Sequence, residues 1–378
     1  MPADITKAKN PLCSADEIKI PFQSKQLRCA IEPGEDTANN LKFSVSLFVP
    51  SDFNELPIKH LLIMVNGMGE FNPHVYSNRG RDTSLCTLLH QSGIATCFLP
   101  LPFHFNRMSP ADRALLEESR KRRKRAIRKG KRAVLSHPTV EKIMRTPARF
   151  FLGYEQVKDD IKELTRIINK SKRTGHIPED VKISLWGFSI GGLGVLGRYF
   201  ESPQTYHSCI LVHSGANFQT LGYYREILTK PQWNKMKKFW TDIRDALEEE
   251  NYNYLNKQMP ELVSLNLDEL KMFAMLFLGN DHTILVRKTR RNSHKLFLLV
   301  GGKDEVASLE SVVSTLVPSA GLAICTIPEL THNIHDSQNI WLTYELEVLK
   351  AFLDHRPGNK KRKEHGENEI DNAIALPG

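Results

Sequence analysis

Apolar residues along the chain first group into short runs and later recur at helical spacing. Phe43 to Val49 alternates apolar and polar as a half-exposed strand does, and it ends at Pro50. Leu61 to Val65 and Ile94 to Leu101 are nearly unbroken apolar runs, the pattern of strands covered on both faces. Val181 to Trp186, Cys209 to His213, Leu296 to Val300 and Leu322 to Ile327 read the same way. Between them, Phe151 to Asn169 puts Val157, Ile161, Leu164, Ile167 and Ile168 on one helical face. Shorter helices are predicted at Asp82 to Leu89 and at Trp341 to Leu353. Strands alternating with helices predict an α/β fold: a mainly parallel central sheet flanked by helices.

Two stretches break the alternation. Residues 105–148 contain a dense basic run, and residues 217–290 are helical and rich in leucine and aromatics. The expected organisation is an N-terminal segment 1–39 and a core of 40–216 resumed at 291–355. That core carries the basic insertion at about 105–148, a helical lid or cap at 217–290, and a disordered tail at 356–378. Within the cap, Leu267, Leu270, Phe273, Leu276, Phe277 and Leu278 form a broad apolar surface. It suits either a pocket for an apolar acyl group or simple packing on the core.

The sharpest chemical signal lies where one strand meets one helix. Gly187-Phe188-Ser189-Ile190-Gly191 is a G-x-S-x-G directly after an apolar strand and before a small-residue helix start. A serine on so tight a turn takes a strained backbone, and the residues two positions away must be small. The following helix offers its first N–H groups to a developing negative charge. On these residues the chain resembles the α/β-hydrolase superfamily, over roughly residues 40 to 355 without the two irregular stretches.

The resemblance implies a Ser-His-Asp triad and a two-part oxyanion hole. It places the acid after a late strand, at Asp304 in Gly301-Gly302-Lys303-Asp304-Glu305, with Glu305 as a rival. It places the base after the last strand, at His332, with His335 three residues on as the alternative. The order Ser189, Asp304, His332 is the one this fold uses. The oxyanion donors it implies are the backbone N–H groups of Ile190 and of Met68 or Gly67, in Asn66-Gly67-Met68-Gly69, where the family commonly has His-Gly. His213-Ser214-Gly215 ends another strand on the same carboxyl edge and is expected in the pocket wall. His104 either lines the pocket or packs in the core.

Charge changes the picture locally. The net charge is +9, but the run from Arg120 to Arg132 holds ten Lys or Arg and no acid; removing those ten leaves −1. This run is either a solvated insertion or a means of attracting an anionic surface, membrane or nucleic acid. Six scattered cysteines without CxxC pairing read as structural thiols. The N-terminus lacks the apolar core of a secretory signal, and no apolar run approaches a bilayer span, so a cytoplasmic location is expected. No metal or organic cofactor is implied. The expected activity is that of a serine hydrolase acting on a carboxylic ester or thioester with a small-molecule or lipid-like acyl group. The alternatives are a catalytically silent ligand-binding relative and a polyanion-binding adaptor.

Overall fold

A computed structural model describes residues 7–9, 15–25, 35–50, 58–67, 89, 93–130, 134–175, 177–215, 217, 220–222, 228–258, 260, 267–279, 282–292, 295–316 and 323–328. The central sheet has nine strands: β1 (Lys7–Lys9), β2 (Ala15–Gln23), β3 (Lys42–Pro50), β4 (His60–Val65), β5 (Ile94–Leu99), β6 (Lys182–Phe188), β7 (Cys209–Val212), β8 (Leu296–Gly301) and β9 (Ala323–Ile327). Their spatial order is β1-β2-β3-β5-β4-β6-β7-β8-β9. The first pairs are antiparallel through β3 and β5, and every pair from β5 to β9 is parallel. An antiparallel lead-in, a swap of β4 and β5, and a serine elbow after β6 make this an α/β-hydrolase fold.

Strands β4, β5, β7 and β8 are buried along their whole length, as the unbroken apolar runs require. The sheet also reaches back beyond residue 40. Strand β2 pairs with β3 over nine residues, from Ala15↔Pro50 to Gln23↔Lys42. Pro21 and the charged Asp16, Glu17 and Lys19 hide that strand from a hydropathy reading. The helices predicted at Asp82 to Leu89 and Trp341 to Leu353 lie outside the described residues, apart from Leu89.

Beyond a single turn at Ala38–Leu41, the helices among the described residues are, in chain order, α1 (Pro110–Arg128), α2 (Pro138–Arg145), α3 (Ala148–Arg173), α4 (Ile190–Glu201), α5 (Lys230–Glu248), α6 (Tyr252–Gln258), α7 (Leu267–Phe273), α8 (His282–Asn292) and α9 (Leu309–Leu316). The basic run is therefore largely helical. Ser109 caps α1 by accepting the Asp112 N–H at 3.1 Å, and Pro110 stands at its first position. Beyond Arg120 its Lys and Arg side chains are mostly exposed, while Leu116 and Ser119 anchor the helix.

Residues between β7 and β8 form α5 to α8, with a π-helical turn at Ala274–Leu278. Their apolar face packs against α3. Phe273 meets Phe151 at 4.6 Å between ring centroids and stacks on Phe277 at 4.4 Å, and Phe277 in turn meets Phe150 and Tyr154.

A buried ion pair pins the loop after β5. The Arg107 guanidinium reaches Asp160 of α3 at 2.6 Å, and both side chains are sealed from solvent. Arg107 also donates to the carbonyls of Pro100 and Asn40 and to the Asn40 side chain, and it lies over the Phe43 ring. Asp160 receives the Ser24 hydroxyl and the Gln156 amide as well. Among the described residues, no helix is long and apolar enough to cross a membrane.

Candidate active site

Strand β6 delivers Ser189 at its carboxyl end, and α4 begins at the next residue. Ser189 has φ 49° and ψ −127°, a backbone conformation that side-chain-bearing residues rarely take. The elbow is possible because its neighbours are glycines. A Cβ on Gly187 would fall 2.2 Å from the Gly192 Cα, and one on Gly191 would fall 2.1 Å from the Asn66 carbonyl oxygen.

The loop after β4 presses on the serine itself. A Cβ on Gly67 would stand 2.8 Å from the Ser189 Cβ, so Gly67 brings backbone close beside the serine. Ile190 opens α4, where N–H groups have no acceptor within the helix. Gly67 and Ile190 thus flank Ser189. Met68, the other candidate, lies outside the described residues.

Asp304 follows β8 and is fully buried. Its Oδ1 accepts the backbone N–H groups of Val306 and Ala307, both at 2.8 Å. Glu305, the rival acid, is exposed. Oδ2 of Asp304 meets Nδ1 of His213 at 2.6 Å, and His213 too is completely buried. An ionised carboxylate only accepts, so His213 Nδ1 carries the hydrogen.

This contact corrects the reading of His213 as pocket wall: its ring faces Asp304, and the cavity beside the elbow is lined by other residues. The sequence carried a usable signal. His213 directly follows β7, and the Phe188↔Val212 pairing puts it level with Ser189 on the neighbouring strand end. Its backbone is strained too, with φ 49°, and its N–H donates to the Leu299 carbonyl of β8 at 2.9 Å. The Phe188 ring packs edge-on against the imidazole at 5.6 Å. Ser189, His213 and Asp304 thus follow three adjacent parallel strands, on the edge where α/β sheets bind ligands. His332 and His335 lie outside the described residues.

Beside Ile190 opens a cavity of about 590 Å³, mouth included. Leu101, Phe103, His104, Val157 and Phe277 are among the residues that line it. His104 therefore both lines the cavity and packs: its Nδ1–H donates to the Pro102 carbonyl at 2.8 Å, and its ring lies 5.1 Å from that of His137. Burial pushes its pKa down to about 4, the Pro102 bond opposes the shift, and Arg107 adds to it. Two cations also border the cavity, Lys142 and Arg149. Both are neutralised by Glu35, Arg149 at 2.6 Å and Lys142 at 2.9 Å, and Lys142 also by Asp112.

Among the described residues no three His, Cys, Asp or Glu side chains gather as metal ligands would. Cys97 and Cys209 are buried free thiols; burial pushes Cys97 up to about 12 and Cys209 upward as well.

Several solved structures are similar to this chain. An S-formylglutathione hydrolase from Agrobacterium tumefaciens shares 11% identity at a TM-score of 0.46, over 92% of this chain and 98% of that one. TT1662 from Thermus thermophilus shares 14% at 0.42, over 83% and 94%. XC6422 from Xanthomonas campestris, a serine hydrolase without a lid, shares 9% at 0.43, over 92% and 100%. No curated protein matches. Residues 14–317 match a family of unknown function (DUF6051), and the chain belongs to that family.

Proposed function

We propose that the chain is a serine hydrolase that cleaves carboxylic esters or thioesters through an acyl-enzyme. The observation that carries the reading is the strained elbow: Ser189 at φ 49° with Gly67 pressed against its Cβ. His332 takes the Ser189 proton as Oγ attacks the carbonyl carbon, and Asp304 holds that imidazole in the required tautomer. The carbonyl oxygen becomes an oxyanion beside the N–H groups of Ile190 and of Met68 or Gly67. When the intermediate collapses, the alcohol or thiol leaves with the proton from His332. Water, deprotonated by the same imidazole, then releases the acid and restores Ser189.

The cavity beside Ile190 supports an acyl or aromatic group as the bound portion. Phe277 makes the helices between β7 and β8 part of its wall, which is the extent of a lid role we infer for them. A fluorophosphonate probe tests the reading directly. Labelling of wild type that vanishes in Ser189→Ala and in His332→Ala is the expected result. A folded wild type that does not label favours the silent ligand-binding alternative. The exposed cations of α1 support a further role, attraction of an anionic surface.

A further inference from the structure

The structure assigns a second histidine to the chemistry: we infer that His213 is a positioning residue that clamps the Asp304 carboxylate for the catalytic base. This rests on the serine-hydrolase reading above. Among the described residues, two backbone amides donate to Oδ1 of Asp304 and the His213 Nδ1–H donates to Oδ2 at 2.6 Å. An ionised carboxylate offers about four lone-pair directions, so these donors do not exhaust it and the proposed base can share it. A carboxylate fixed on three sides cannot turn, and the tautomer it imposes on the base is fixed with it.

His213 is itself held from several directions. Its N–H bonds to Leu299, Phe188 packs on its ring, and the next residue, Ser214, fits under Gly192, where a Cβ would fall 2.2 Å from the Ser214 Oγ. The clamp is therefore tied to the elbow strand on one side and the acid's strand on the other. Complete burial also favours the second of two roles. A base must meet the leaving group and a water, whereas a clamp need only meet Asp304.

The test compares His213→Leu, which removes the donor at similar volume, with His213→Asn, whose amide N–H reaches where Nδ1 does. Turnover of 4-nitrophenyl butyrate is followed across pH. For His213→Leu we expect kcat to fall about 10- to 100-fold, the size typical of outer-shell partners, with KM nearly unchanged. Without the donor, Asp304 bears more of its charge toward the base. The acid limb of the kcat/KM profile then shifts to higher pH. His213→Asn should restore most of kcat and return the limb.

A purely structural role would impair both variants alike and leave the limb in place; that result overturns the clamp, as does an unchanged kcat in His213→Leu. Fluorophosphonate labelling that survives His332→Ala and disappears in His213→Ala overturns it differently, by making His213 the base. If His213→Leu does not fold, His213→Met, which has similar volume and no N–H donor, takes its place in the comparison with His213→Asn. Nitrogen-15 NMR of the histidines gives a readout free of turnover. A downfield Nδ1–H resonance that vanishes in His213→Asn reports the contact even if no ester is cleaved. That pattern would sink the hydrolase reading while leaving the contact intact, whereas an active enzyme with no such resonance would sink the clamp.

Discussion

Two buried imidazoles, His213 and His104, lie near the carboxyl edge of the same sheet, and each has its Nδ1–H fixed by one acceptor. His213 donates to a carboxylate at 2.6 Å, and His104 to a backbone carbonyl at 2.8 Å. Burial pushes the His104 pKa down to about 4, with Arg107 adding to the shift and the bond to the neutral Pro102 carbonyl opposing it. The carboxylate brings a full negative charge into the same kind of burial, where an unpaired charge would be costly. Both rings are buried, and the acceptors differ: a carboxylate for His213, and for His104, which lines the apolar cavity, a backbone carbonyl.

The comparison can be broken most sharply at the elbow. Ser189→Ala should remove fluorophosphonate labelling and lower ester turnover by about 10⁴-fold or more, read against a folded control. Next comes the carboxylate: Asp304→Asn keeps shape but abolishes the full charge, and kcat should fall about 10⁴-fold. If it fell no further than in His213→Leu, the acid would have been misassigned. Gly67→Ala forces a Cβ to within 2.8 Å of the Ser189 Cβ, and about 10²-fold should be lost from kcat through displacement of the nucleophile.

The neutral histidines give a stability prediction instead. Above pH 6.5, folded and unfolded chains both carry neutral His104 and it contributes no slope. As pH falls from 6.5 toward about 4 the unfolded chain gains a proton that the folded one refuses, so stability declines. The loss from His104 is on the order of 3 kcal/mol, and His137, pushed down to about 3, acts in the same direction. Thermal melts of His104→Phe should show a flatter dependence on pH over that window. The smallest effect concerns α1: deleting Arg120 to Arg132 should abolish salt-sensitive retention on heparin without changing the elbow. Unchanged retention would leave the run a solvated surface.

Much of this was legible beforehand because buried parallel strands write themselves as apolar runs. β4, β5, β7 and β8 fall within one or two residues of where hydropathy puts them, and the elbow follows its strand as its spacing implies. Strand β2 was hidden because it pairs at the antiparallel margin, where Lys19 remains compatible with pairing and Pro21 interrupts the pattern. Helix α1 left little apolar stripe to read, since Lys and Arg dominate its second half. Its capping serine and first-turn proline were the local clue. The His213–Asp304 contact joins residues 91 apart in sequence. Such a contact is a property of strand order, and no local pattern encodes it.

The Arg107–Asp160 pair also constrains how the family can vary. Losing either partner alone would strand a charge in a sealed interior, at about 3–5 kcal/mol. Asn40 accepts from the Phe103 N–H as well as from Arg107, so the same loss would loosen the cavity wall. Drift at these positions must therefore proceed jointly. In any lineage that changes Arg107, Asp160 should have changed with it, and the shape of the cavity should differ.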